Sequence, residues 1–149
     1  MTIVDLPDCP YYLMSRATLV VTSALKKGFA AQGVDRVKPA YLAALLSLWT
    51  DDGLKVVDLG RRAGLETSTM TGLLDRMERD GLVTRDPDPD DRRAHLIHLT
   101  EKGHKVRKPI LKVVDQVIND VFDGIPEDEL DRMKELFRTV LANAHKAGG

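Results

Sequence analysis

The sequence is short of cysteine, aromatic residues, long apolar runs and net charge, and each shortage removes a class of protein. Cys9 is the only cysteine. No intrachain disulfide framework can staple the fold, and the chain is expected in a reducing, cytoplasmic setting. No apolar run approaches the ~18 residues of a membrane span. The opening MTIVDLPDCP lacks the basic-then-apolar order of a secretory signal, so no membrane partner is expected. Aromatics make up 5% of the 149 residues against 43% hydrophobic in all, so the core must be mainly Leu, Val, Met and Ala. His95, His98, His104 and His145 have no tight metal-ligand spacing, and on a strand His95 and His98 would face opposite sides. There is no Ser-His-acid arrangement and no glycine-rich phosphate loop. Neither catalysis, nor a metal, nor a cofactor is expected. A net charge of -1 argues against indiscriminate coating of nucleic acid, though not against a local basic footprint.

The charges that are present are unevenly spread. Lys55 to Lys108 holds twelve Lys or Arg against ten Asp or Glu, whereas Asp120 to the end holds four against seven. The middle of the chain is therefore the better partner for a polyanion. Many of its acids crowd into Asp86 to Asp91, which makes the cationic part more local still.

Length suits one domain spanning 1–149, of mainly α (α+β) class. Residues 1–10 read as an extended arm limited by Pro7 and Pro10. Tyr11 to about Gln32 is predicted helical, with Leu13, Ala17, Val20 or Val21, Ala24, Leu25 and Phe29 at helical spacing and Gly33 as a stop. A second helix is expected from Pro39 to Thr50, with Leu42, Leu45, Leu46 and Trp49 as its buried stripe. Leu54 to Val57 is either a short strand or a lead into a helix over Val56 to Ala63, ended by Gly64. Thr67 is read as the cap of a helix running to about Asp80, held by Met70, Leu73 or Leu74, and Met77. Short strands are expected over Leu82 to Arg85 and Ala94 to Leu99, joined by a DPDPDDRR loop. Thr100 can cap a helix continuing to about Phe122, which Pro109 should bend or break. Gly124 separates a last helix, about Pro126 to Ala144, and the tail HKAGG is expected to fray.

Helix, tight turn, helix and charged hairpin, from Asp58 to Gly103, read as a grip for duplex DNA; taken singly, the second helix also fits an ordinary capped surface helix and the hairpin a plain charged turn. A helix entering the major groove needs one face packed on the protein and another offering small polar groups. In TSTMTGLLDRMERD the second face holds Thr67, Ser68, Thr69, Thr71, Asp75, Arg76 and Arg79. Its N-terminal amides can meet phosphate. Arg76 can instead pair with an acid inside the domain. The hairpin brings Arg92 and Arg93 to or near its tip, where arginine gains from the potential of a narrow minor groove. Asp90 or Asp91 can hold one of them in a fixed fork. Arg61 and Arg62 on the preceding helix are either phosphate clamps or solvated surface charges.

The DL...AGL...TMTGLLDRMERDGLVTR segment followed by DPDDRRAHLIHLTEKG resembles the MarR family of winged helix-turn-helix transcriptional regulators. DDRR followed by LT..G is the more specific half. By helix order the resemblance extends over nearly the whole chain. It implies a winged helix-turn-helix over 36–100 and a helical dimerisation part formed by 9–34 and 101–146. It implies Thr67 to Arg79 as recognition helix, with Asp91 and Arg92 in the wing and Arg93 beside them. It further implies a homodimer on a pseudo-palindromic double-stranded operator, with repression as the default. The chain departs from the commonest pattern at Gly60, where Ala is usual, at a cost of ~1 kcal/mol in an exposed helix.

Regulators of this kind often respond to a small aromatic or phenolic acid, which the resemblance implies here. Tyr11, Tyr12, Met14, Arg16, Leu45 and Trp49 are the candidate lining, with tyrosine and arginine suited to an organic anion. Leu45 and Trp49 fit plain core positions better, and Arg16 fits a surface or interface better than a ligand clamp. Cys9 offers an alternative, thiol-based oxidant sensing, although no second cysteine can resolve it. A non-DNA-binding helical protein-interaction module is the other reading. The terminal helices either pair with a second copy or cover the central module of a monomer.

Overall fold

The computed structural model describes residues 7–148, so most of the expected N-terminal arm lies outside the described residues. The chain divides into two compact units, Met1–Val117 and Ile118–Gly149. The first unit carries the helix-turn-helix and the charged hairpin. Its elements are α1 (Pro10–Ala31), a 3-10 turn (Pro39–Tyr41), α2 (Leu42–Thr50), β1 (Leu54–Lys55), α3 (Val56–Ala63), α4 (Thr67–Arg79), β2 (Val83–Asp88), β3 (Asp91–Leu99), α5 (Glu101–Lys105) and most of α6 (Arg107–Val121). The second unit holds the end of α6, a turn at Gly124 and α7 (Glu127–Gly148). This is a mixed α and β winged helix-turn-helix with long helices at both ends.

Two glycines set the helix-turn-helix. Gly64 and Gly81 both adopt positive φ, a conformation that carries little penalty without a Cβ. After each, the chain folds back on the helix it leaves: Leu65 N–H donates to the Gly60 carbonyl at 2.8 Å, and Leu82 N–H to the Met77 carbonyl at 2.9 Å. Both close the helix end with the six-to-one bond of a Schellman motif. The departure at Gly60 has a packing reason, because a Cβ there would stand 2.9 Å from the Leu65 carbonyl oxygen.

The three-stranded antiparallel sheet has order β1-β3-β2. Leu54 pairs with Ile97, and β2 pairs with β3 from Val83 opposite Leu99 to Pro87 opposite His95. The strands are longer than expected, because Asp88 pairs with Asp91 and leaves only Pro89 and Asp90 to turn the chain. The register shifts between Pro87 and Asp88. Arg92, Arg93 and Ala94 thus form a bulge with no partner in β2.

The core is mainly aliphatic, as the shortage of aromatics requires. Leu25 and Phe29 of α1, Ala44, Leu45 and Leu48 of α2, Leu59 of α3, Met70, Leu73, Leu74 and Met77 of α4, and Ile97 and Leu99 of β3 are buried together. Each large side chain so enclosed contributes on the order of 1.5–3 kcal/mol. The stripe on α2 differs from expectation. Leu45 is buried and Leu42 and Trp49 pack against the core as expected, but Ala44 and Leu48 are buried and Leu46 is exposed, because the inward arc centres near Leu45 and Leu48 and leaves Leu46 about 100° round the helix from Leu45. On α1 the inner line is Val21, Leu25 and Phe29, whereas Leu13 and Val20 are exposed.

Two boundaries also differ. Glu66, not Thr67, occupies the N-cap of α4 and makes no side-chain cap bond. The helix after Thr100 is interrupted at Val106, the break expected from Pro109, which sits in the first turn of α6. Pro109 has no N–H to offer the Lys105 carbonyl four residues back, where α5 ends. Thr100 does cap, accepting from Gly103 N–H at 3.0 Å. In the second unit α7 remains helical to Gly148, through the tail expected to fray.

Candidate nucleic-acid interface

Packing divides α4 as the sequence requires. Met70, Leu73, Leu74 and Met77 are buried, whereas Thr67, Ser68, Thr69, Thr71, Asp75, Arg76 and Arg79 are exposed. Thr71 Oγ1 donates to the Thr67 carbonyl at 2.9 Å, which fixes its hydroxyl along the helix and leaves its lone pairs outward. Without a side-chain cap at Glu66, the first-turn amides of α4 stay available as donors. Neither Arg76 nor Arg79 has a carboxylate within ion-pair distance among the described residues. The nearby acid, Asp80, is occupied by the Tyr41 hydroxyl at 2.7 Å.

The wing places Arg92 and Arg93 on the bulge, both exposed. Bulges re-aim side chains out of the regular ladder. The expected fork from Asp90 or Asp91 to an arginine does not form. Asp91 Oδ1 instead accepts from the backbone N–H of Arg93 at 3.0 Å, and the Asp90 N–H donates to Asp88 Oδ1 at 2.9 Å. The acids of the wing therefore shape its backbone and leave both guanidinium groups unpaired among the described residues.

Asp88 is the anchor that the sequence did not reveal. Its buried carboxylate lies 3.4 Å from Lys55 Nζ on β1. The Asp90 N–H holds its pKa below the ordinary carboxylate value. Burial opposes that shift, while Lys55 and the Asp91 N–H reinforce it. Arg85 is the second such residue. From β2 it meets Asp75 Oδ1 at 2.6 Å and the Thr71 carbonyl at 3.0 Å. An open groove of about 500 Å³ runs between α4 and the wing, with Lys55, Thr67, Thr71, Arg85, Arg93 and His95 along it.

Arg61 and Arg62 are engaged, with Asp58 at 3.4 Å and Asp51 at 3.0 Å respectively. Exposed pairs of this kind hold at most ~1 kcal/mol, little enough for a phosphate to displace. Among the described residues no group of three His, Cys, Asp or Glu side chains is placed to hold a metal ion. None of their helices is long and apolar enough to cross a membrane.

A sequence profile of the MarR family matches residues 38–95. The organic hydroperoxide resistance transcriptional regulator of Bacillus subtilis (strain 168) is 32% identical over 108 residues, 72% of this chain and 71% of that protein. The chain belongs to the MarR family. Among solved structures, the PcaV transcriptional regulator from Streptomyces coelicolor, in complex with its natural ligand, matches with a TM-score of 0.83 at 26% identity. That match covers 97% of this chain and 99% of PcaV. CouR from Rhodococcus jostii RHA1, bound to p-coumaroyl-CoA, matches with a TM-score of 0.76 at 29% identity, covering 93% and 95%. As a MarR-family protein the chain is a DNA-binding transcription regulator, not an enzyme. Members generally bind DNA as dimers and often respond to small molecules.

The residues suggested for an effector are dispersed in character. Tyr11 and Arg16 are exposed on α1, and Tyr12 and Met14 are half-buried. Leu45 is fully enclosed in the core, and half-buried Trp49 donates from Nε1 to the Gly103 carbonyl at 2.9 Å. Arg16 lines a groove of about 410 Å³ along α1 with Leu19, Val20, Ser23, Ala24 and Lys27. Cys9 is buried at the N-cap of α1.

Proposed function

We propose that the protein is a homodimeric, ligand-responsive repressor that reads a pseudo-palindromic operator with α4 in the major groove and the wing in the minor groove. One observation carries this reading. Thr67 and Thr71 of the polar face of α4 and the unpaired Arg93 of the bulge line the same open groove, while apolar neighbours hold both elements from behind. Thr67, Ser68, Thr69 and Thr71 are assigned to bases and nearby phosphates, Arg76 and Arg79 to phosphates, and Arg92 and Arg93 to the minor groove. Arg61 and Arg62 exchange their surface carboxylates for phosphate on binding. The long terminal helices supply the two-fold contact, which spaces two reading helices by one helical turn of DNA.

Effector control is assigned to an aromatic or phenolic acid. The support is chemical: Tyr11, Tyr12, Met14 and Arg16 put phenols, a thioether and a cation on one helix, and CouR and PcaV are both described with bound ligands. Leu45 and Trp49 would back such a site as packing residues. Thiol control is the second reading, favoured by similarity to a regulator named for organic hydroperoxide resistance and by the presence of Cys9.

Selection of fragments from the protein's own genomic DNA tests the central claim. The wild-type protein should enrich discrete fragments carrying inverted repeats, and changing Thr71→Ala with Arg93→Ala should abolish that enrichment while the dimer persists. Enrichment surviving both changes would overturn the assigned surface. Release of the selected fragment by aromatic acids, compared with release by peroxide in wild type and Cys9→Ser, separates the two modes of control.

A further inference from the structure

Arg85 was not among the residues expected to meet DNA, and it occupies an unusual place. It lies on β2 opposite Ile97, with only 23% of its side chain exposed. Its guanidinium turns away from the sheet and onto α4. Nη1 meets Asp75 Oδ1 at 2.6 Å, and Nη2 donates to the Thr71 carbonyl at 3.0 Å. Thr71 and Asp75 are one helical turn apart on the face assigned to DNA. One planar fork therefore grips two successive turns of α4 from a strand of the wing. Lysine, with all its donors on one nitrogen, cannot reproduce that two-nitrogen planar fork.

Asp75 gives the grip a second consequence. Its side chain is 52% exposed, and a free carboxylate on that face would repel phosphate. Arg85 neutralises it at the shortest ion-pair distance among the described residues. The fork is spent on the protein, so Arg85 is not arranged as a phosphate contact.

We propose that Arg85 is a positioning residue for operator recognition: by clamping Thr71 and Asp75 it fixes the reading helix relative to the wing and cancels the repulsion of Asp75. This rests on the reading of α4 and the wing as the DNA surface. It makes Arg85 a determinant of specificity through the angle and charge of α4, without contact to DNA.

The test is a double-mutant cycle, R85M, D75N and R85M/D75N, with R85K and R93A alongside. The probe is a genomic duplex selected by the wild-type protein. Affinity for it and for unrelated duplex is measured at several salt concentrations, and thermal melts report folding. R85M should weaken specific binding by roughly tenfold to a hundredfold, and D75N should recover part of that loss. R85M should keep the wild-type salt slope, whereas R93A should lower it by about one. R85K should retain affinity for unrelated duplex yet lose discrimination. Should R85M not fold, D75N and R85K carry the test through the ratio of specific to unrelated binding, which both should lower.

Equal losses from R85M in both backgrounds, with a slope lower by about one, would show direct phosphate contact and overturn the proposal. Unchanged specificity in R85M, or in R85K and D75N, would also overturn it. Failure of the DNA reading itself is distinct, since then the wild-type protein would select no duplex.

Discussion

The phenol of Tyr41, ahead of α2, donates to the carboxylate of Asp80, at the C-terminal end of α4, over 2.7 Å. Tyr41 is fully buried, and burial together with the Asp80 bond and charge raises its pKa to about 12. Tyr41→Phe should therefore destabilise the fold by ~1.5–3 kcal/mol, the range for a hydrogen bond to a charged group, as read by chemical denaturation. The sign of the pH effect is fixed. The folded pKa lies above the ordinary value of 10.0, so the stabilisation is complete below pH 10 and is lost as pH rises toward about 12. Tyr41→Phe should lack that alkaline loss.

Asp88 responds in the opposite direction. Its folded pKa lies below the ordinary 3.8, so its contribution is present above that value and declines as pH falls through the folded pKa. Asp88→Asn should lower the melting temperature near neutral pH and weaken the acid dependence. Hydrogen exchange should show the loss first in the amides of Asp90 and Asp91. A wing as protected as the wild type would refute the anchoring role.

Glycines at two positions should respond with opposite signs. A Cβ on Gly103 would press into the Leu82 backbone carbonyl, whereas one on Gly72 meets nothing within 4 Å. Gly103→Ala should cost ~1–3 kcal/mol through overpacking against rigid backbone. Gly72→Ala should gain up to ~1 kcal/mol in helix propensity. Melting curves of the two variants check both signs.

Arg92→Ala and Arg93→Ala should each reduce the slope of log affinity against log salt by about one if each guanidinium releases a counterion from the operator. Their melting temperatures should stay near wild type, because neither side chain has an intramolecular partner among the described residues. Titration at three or more salt concentrations is the measurement.

The sequence carried those features whose cause is local. Gly64 and Gly81 punctuate helices by backbone conformation, and the spacing of Met70, Leu74 and Met77 selects the inner face of α4. The polar residues of that face and the pair Arg92–Arg93 were readable for the same reason. Arg85 was not, because its importance depends on Asp75 and Thr71, ten and fourteen positions earlier and on another element. Tyr41 was hidden likewise, its partner lying 39 positions away. The exposure of Leu46 on α2 was not legible, because which arc of that short apolar helix faces inward is set by the elements packed against it and not by spacing alone. Asp88 did leave a local trace: an aspartate two residues before a turn amide is the pattern of an Asx turn, here lost within a run of acids.

The bulge at Arg92–Ala94 has a consequence for how such a regulator can diverge. The register from His95 to Leu99 is fixed by Ile97 and Leu99 in the core, and a one-residue slip there would turn those side chains outward. The surplus residues stand outside that constraint, between a two-residue turn and the paired stretch. Length and chemistry at 92–94 can change without re-registering the sheet. The wing is thus a replaceable fingertip on a fixed knuckle, free to vary in length and charge while the core sequence stands still.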